Sequence, residues 1–94
     1  MRKMIMCRKK VRSDGGEKLS LIYSVTIDEL TNDSLAAGVE SYGVGIAIEE
    51  SGEEAYVRNI TLQSSEIFRL TSLLSSNFAT PVTLSDIAED WLCR

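Results

Sequence analysis

Residues 81–92 constrain the fold most, because they have the pattern of a short helix with one apolar face. Thr83 is a suitable N-cap, and Asp86, three residues later, completes a Thr-x-x-acid variant of the capping box. Val82 and Ile87 are placed to form a hydrophobic staple across this cap. The apolar stripe consists of Leu84, Ile87, Ala88, Trp91 and Leu92. A helix of only about 13 Å is not stable alone in water, so the rest of the chain must supply a surface for it.

That surface is predicted to be a β-sheet, because three earlier segments alternate apolar and polar residues with a period of two. They are residues 19–27, 39–49 and 55–62, with a hairpin turn at 50–53. In the first segment, the odd-numbered side chains from Leu19 to Ile27 are predicted to face the core. In the second, Gly43, Gly45 and Ala47 form a face of small residues. Such a face indicates either exposure or the close approach of another backbone, and a bulge or close packing is favoured at the glycines.

Residues 64–77 have the pattern of another amphipathic helix, with Ser64 as its N-cap and Asn77 in the left-handed C-cap position. The strands come first and the helices last. The predicted class is therefore α+β: a three- to four-stranded antiparallel β-meander followed by two C-terminal helices packed on one face. The helices are expected to bury Phe68, Leu74, Ile87 and Trp91 against the sheet. We expect one domain over residues 1–94, with the sheet at 19–62 and the helices at 64–92.

The first twelve residues hold six of the ten basic residues and no acidic one. Residues 13–94 hold the other four basic residues and all fourteen acidic ones, which gives them a net charge of −10. Residues 1–12 are predicted to be either an edge strand, joined to the next strand by a turn at 14–17, or a flexible basic arm. Their apolar part, residues 4–7, is too short for a secretion signal, and we expect a cytoplasmic protein.

Few residues indicate catalysis or a bound cofactor. The chain has no histidine, so it lacks the commonest general base and metal ligand. Two acidic clusters are compatible with a calcium site or acid–base chemistry, but a solvated surface is the favoured interpretation of both. They are Glu49, Glu50, Glu53 and Glu54 in one turn, and Asp86, Glu89 and Asp90 on the terminal helix. We predict no catalytic, cofactor-binding or metal-binding residue. Cys7 and Cys93 match no metal or redox spacing and are predicted to be free thiols.

Several short motifs together resemble a known family. They are Tyr42-Gly43 in a strand, Ile60 before a helix that carries Leu70 and Leu74, and the run Pro81-Val82-x-Leu84-x-Asp86-Ile87-x-Glu89-Asp90-Trp91-Leu92. In these motifs the chain is similar, from about residue 19 to residue 92, to a family of small uncharacterised proteins of clostridial and other Gram-positive bacteria. The resemblance implies a domain-sized fold of unknown function and no activity.

The leading hypothesis is a non-enzymatic domain that binds another protein or a second copy of itself. Pairing between subunits is expected either through the strand that carries Gly43 and Gly45 or through an uncovered sheet edge. Trp91 is predicted to lie either in the core or at a partner contact. The alternative hypothesis is a regulator that contacts nucleic acid through its basic N-terminal residues. These are Arg2, Lys3, Arg8, Lys9, Lys10 and Arg12.

Overall fold

The computed structural model describes residues 2–12, 14–30 and 39–92. These residues form one four-stranded sheet, a 3₁₀ turn and two helices. In chain order the elements are β1 (Arg2–Arg12), β2 (Lys18–Leu30), β3 (Val39–Ile48), β4 (Glu54–Thr61), α1 (Ser64–Ser76), the 3₁₀ turn (Pro81–Thr83) and α2 (Leu84–Leu92). The strands are antiparallel and lie in the order β1-β2-β3-β4. The predicted α+β class is confirmed, with a fourth strand formed by the basic N-terminal segment.

The sheet has two different faces, because successive side chains of a strand point in opposite directions. One face carries Leu21, Tyr23 and Val25 of β2 and packs against the helices. The helix side of the core adds Ile67, Leu70, Leu74 and Leu84, all between 0 and 1% exposed. Burial of each such side chain contributes roughly 1.5–3 kcal/mol to folding. We call the other side of the sheet the open face.

A hydrogen bond from Tyr23 ties the sheet to the segment between the helices. Its phenolic oxygen donates to the carbonyl of Ala79 at 2.8 Å in a buried position. Burial raises the pKa of Tyr23 to about 12, so the phenol remains a neutral donor at physiological pH. This bond fixes the point at which the chain leaves α1 and turns toward α2.

The end of α1 differs from the prediction for Asn77. Asn77 has φ −98°, and Phe78 takes the left-handed position with φ +51°. The amide of Ala79 donates to the carbonyl of Leu74, and the amide of Phe78 donates to that of Ser75. These two bonds are those of a Schellman motif, which requires the left-handed residue one position later than predicted.

The start of α2 also differs from the prediction. Thr83 does not cap the helix with Asp86; its hydroxyl donates to the carbonyl of Thr80 at 3.1 Å and accepts from the Thr80 amide at 3.2 Å. The proline therefore begins a 3₁₀ turn, and the helix starts after it. Val82 is 76% exposed, so the predicted staple to Ile87 is not formed.

Three further predictions about the helices need correction. The N-cap of α1 is Gln63, with no side-chain bond, and Ser64 is the first helical residue. Phe68 is 36% exposed and lies on the outer face of α1, and Leu92 is 57% exposed. For Trp91, by contrast, the predicted core position is the one observed: the side chain is half-buried and packs against the core, and Cζ of Arg69 lies 5.9 Å from its ring centroid. The stripe of α2 is therefore buried only as far as Trp91.

Gly43 and Gly45 lie where other groups approach the open face of β3, as the face of small residues indicated. A Cβ at Gly43 would lie 2.6 Å from the Cα of Arg58, and closer still to the carbonyl oxygen of Val57. A Cβ at Gly45 would lie 2.5 Å from Cε1 of Tyr56. The register between β3 and β4 also shifts beside Gly43, which confirms the predicted irregularity.

None of the helices formed by the described residues is long and apolar enough to cross a lipid bilayer. Cys93, predicted to be a free thiol, lies outside the described residues.

Candidate interaction surface along the first strand

The candidate site is the outer edge of β1. Within the described ranges, β1 has a strand neighbour on one side only, namely β2. The backbone groups that point away from β2 are therefore available for pairing with another strand. Met4, Ile5 and Met6 are 41, 57 and 40% exposed at the same edge. Met4 pairs with Val25 and lies on the helix face, whereas Ile5 pairs with Ser24 and lies on the open face. A register shift between Ile5 and Cys7 places Met6 at a bulge.

The register sorts the basic residues of β1 onto the two faces of the sheet. Directly paired residues of antiparallel strands lie on the same face. Arg8 pairs with Ile22, Lys10 with Ser20 and Arg12 with Lys18, so these three basic side chains lie on the open face. Lys9 pairs with Leu21, which is a core residue, and lies on the helix face.

The two ends of β1 differ in how their charges are satisfied. Arg2 forms an exposed ion pair with Glu40 of β3. Lys3 donates to the Tyr56 hydroxyl at 3.0 Å, and this bond is the main reason that the pKa of Lys3 is raised. The Tyr56 hydroxyl in turn donates to Glu54 at 3.1 Å. The N-terminal end of β1 is thus bound across the sheet to β3 and β4.

By contrast, none of the ion pairs among the described residues includes Arg8, Lys10 or Arg12. Lys10 and Arg12 line a shallow depression together with Val11 and Lys18. We call the set Arg8, Lys10, Arg12 and Lys18 the basic row. It is a positively charged strip at the edge of an otherwise acidic protein, and it attracts negatively charged groups.

Near β4, the open face is covered by an ion pair between Arg58 and Asp28. Nε of Arg58 donates to Asp28 at 3.0 Å, and a second nitrogen of the same guanidinium also contacts this carboxylate. The contact lowers the pKa of Asp28 and raises that of Arg58. On the same face, the hydroxyl of Thr26 is buried and has no hydrogen-bond partner. Asn59, at φ +58°, interrupts the regular backbone of β4. Of the two outer strands, β1 has eleven residues and β4 has eight, so β1 offers the longer edge.

The acidic turn is a structural element of the sheet. Glu50 accepts hydrogen bonds from the amide of Ser20 at 2.7 Å and from its hydroxyl at 2.9 Å. The bond from the amide is the main reason that the pKa of Glu50 is lowered, and the charge of Lys10 adds to the effect. Among the described residues, no group of three acidic or cysteine side chains is arranged to hold a metal ion.

The carboxylates of α2 do not converge. Asp86, Glu89 and Asp90 are exposed, as predicted for the outer side of the helix. Asp86 borders a shallow groove between the end of α1 and α2, and the other two lie outside it.

The thiol of Cys7 is free and half-buried against the core.

The sequence identifies the basic residues of this surface but not their separation between two faces. The signal was present in the alternation of Arg8, Lys10 and Arg12 at every second position, a period of two. It was not informative as long as a flexible arm remained an alternative to a strand.

One antiparallel sheet with an accessible edge, backed on one face by two C-terminal helices, defines a small α+β domain. The chain belongs to the Family of unknown function (DUF6514), whose model matches residues 2–94. Comparison with curated proteins and comparison with solved structures produced no match.

Proposed function

We propose that this domain is a non-enzymatic binding module that adds an extended segment of another protein to its sheet along β1. The observation that carries the proposal is the accessible outer edge of an eleven-residue strand. An added strand gains main-chain hydrogen bonds along such an edge, and alternate side chains provide specificity. The exposed apolar side chains of Met4, Ile5 and Met6 would supply hydrophobic contact at one end of the strand, with Met4 on the helix face and Ile5 on the open face.

Self-association through the sheet receives less support from the same geometry. β3, which carries Gly43 and Gly45, lies between β2 and β4, so it has no edge to offer a second subunit. The prediction of pairing through that strand is therefore wrong. Antiparallel pairing of β1 with β1 of a second copy would place the two basic segments side by side, and like charges directly opposite each other are destabilising.

Nucleic-acid binding is the second candidate, and the observation that favours it is the basic row on one face. Its signature is an affinity that falls steeply with salt concentration. The rest of the chain opposes it, because residues 13–94 carry a net charge of −10 and repel a polyanion that extends beyond β1.

Cytoplasmic location also remains our proposal, supported by the free thiol of Cys7.

The test is selection of binding peptides from a random library displayed on phage, followed by amide-resolved NMR mapping on the full chain. The proposal expects the selected peptides to perturb amides of β1 and its neighbour β2. Ile5→Ser is expected to weaken binding, and Val82→Ser serves as its control, because both remove an exposed aliphatic side chain. Selected peptides that perturb amides of α1 or α2 would contradict the proposal. It would also be contradicted if both substitutions weakened peptide binding equally.

A further inference from the structure

We infer that the segment bound along β1 is an extended stretch in which acidic and apolar side chains alternate. This inference rests on the proposed function and names the chemical class of the partner. The charges on the two faces of β1 carry it, because each face of an added strand meets a different set of side chains.

On the open face, the partner meets the basic row. Arg8, Lys10 and Arg12 are two residues apart, a spacing of roughly 6.6 Å in a strand. Every second side chain of a paired strand has the same spacing, so consecutive acidic residues on one face of the partner match these three positions in register. Lys18 of β2 lies beside Arg12 and adds a fourth positive charge.

On the helix face, the partner meets a mainly apolar rim. Met4 is 41% exposed, while Cys7 and Val11 are half-buried and pack against the core. Two basic residues of β1 lie on this face. Arg2 is paired with Glu40, and the ammonium of Lys9 lies 5.9 Å from the ring centroid of Phe78. Apolar side chains at the remaining positions of the partner would extend the core past the sheet edge.

Charge complementarity distinguishes this occupant from the alternatives. A second copy of β1 would place basic residues against basic residues. The phosphates of a nucleic acid can accept hydrogen bonds from outward-facing amides of β1, but they do not form the ladder that uses its amides and carbonyls alternately. An acidic segment of strand length pairs with these groups and ends within the reach of the basic row.

The probes are blocked synthetic peptides of about nine residues, a usual strand length, that alternate valine with glutamate, glutamine or lysine. Each is titrated into the full-length chain at concentrations up to about 1 mM and followed by amide NMR. We expect the glutamate peptide to perturb β1 and to bind more tightly than the glutamine peptide, with a difference that shrinks as salt is added. The lysine peptide should bind most weakly.

Two neighbouring variants form a matched pair. Lys10→Gln and Lys9→Gln each remove one positive charge from β1, but from opposite faces. Lys10→Gln should weaken binding of the glutamate peptide by roughly two- to fivefold, the effect of one exposed ion pair. Lys9→Gln should have a smaller effect. Replacement of Arg8, Lys10 and Arg12 together by glutamine should weaken binding by about tenfold or more.

The outcomes separate this inference from the proposed function. Equal binding of all three peptides at β1 would overturn the acidic partner but support strand addition. If no peptide perturbs β1 while an oligothymidylate does so in a salt-dependent manner, both proposals fail in favour of nucleic acid. Absence of any response at β1 would overturn both as well.

Discussion

Substitution of Gly43 by alanine tests the packing that shapes the open face. Gly43 lies in the middle of the sheet, beside the bulge of β4. A new methyl group there would lie 2.6 Å from the Cα of Arg58 and 2.5 Å from the hydroxyl oxygen of Thr26, whereas ordinary contact begins at 3.4 Å. Because the Arg58 contact is with backbone, side-chain rotation does not relieve it. β3 and β4 would have to separate locally by roughly 1 Å.

The expected loss of stability follows from this separation. Overpacking of a rigid site costs about 1–3 kcal/mol. Weakening of one neighbouring ladder hydrogen bond adds about 0.5–1.5 kcal/mol. We therefore expect Gly43→Ala to lower the free energy of unfolding by about 2–4 kcal/mol. For a domain of this size, that corresponds to a fall in Tm of roughly 10–25 °C.

Gly45→Ala is the matched control, on the same strand and the same face. Its new methyl group would meet the ring of Tyr56, which is a movable side chain, and the Ser24 hydroxyl at 2.9 Å. We expect a change within about 1 kcal/mol, because the ring turns aside and alanine reduces the entropy of the unfolded chain. Urea unfolding, followed by the fluorescence of Trp91, measures both variants. A Gly43→Ala protein as stable as the wild type, or equal losses in both variants, would refute the packing argument.

Three further predictions concern stability. Tyr23→Phe should lower the free energy of unfolding by about 1–3 kcal/mol, because the buried carbonyl of Ala79 loses its donor; an unchanged urea midpoint would contradict this. Phe78→Gly should be more stable than Phe78→Ala by about 1 kcal/mol in thermal unfolding, the reverse of the order inside a helix, because the position is left-handed. The pKa of Asp28 is lowered by Arg58, so its contribution to stability is present above the unfolded-state pKa of about 4 and is lost as pH falls. Asp28→Asn should therefore lose less stability than the wild type between about pH 5 and pH 3 in urea titrations, and equal losses would show that this ion pair is not responsible.

The strands could be predicted from the sequence because their signal is local and repeated. The alternation from Leu19 to Ile27 places Leu21, Tyr23 and Val25 in the core, where the structure has them. The glycine face of β3 likewise indicated a close approach, which the Tyr56 ring and the β4 backbone provide. Each of these patterns is enforced by burial on a specific face of the sheet.

The caps could not be predicted, because several residues competed for each position. Asn77 is the better left-handed residue, but burial of Leu74 and the bond from Tyr23 to Ala79 set the end of α1 one residue later. Thr83 is likewise a good N-cap, but it pairs with Thr80 across the 3₁₀ turn that starts at the proline. Tertiary contacts decided between local options that were nearly equal in energy.

The candidate surface depended on whether residues 1–12 form a strand. Their composition favoured neither a strand nor an arm, since the twelve positions hold six basic and six apolar residues. The strand is formed through pairing with β2, a non-local interaction that extends from Arg2 opposite Ile27 to Arg12 opposite Lys18. Only this pairing assigns the basic side chains to a face.

The central claim is that β1 accepts an acidic extended strand, and amide hydrogen exchange tests it most directly. In the free chain, the outward-facing amides of β1 have no strand partner within the described residues, and they should exchange quickly. Addition of the glutamate–valine peptide should slow exchange at these alternate amides and leave α1 and α2 unchanged. Unchanged exchange along β1 under saturating peptide, or protection confined to the helices, would contradict the claim.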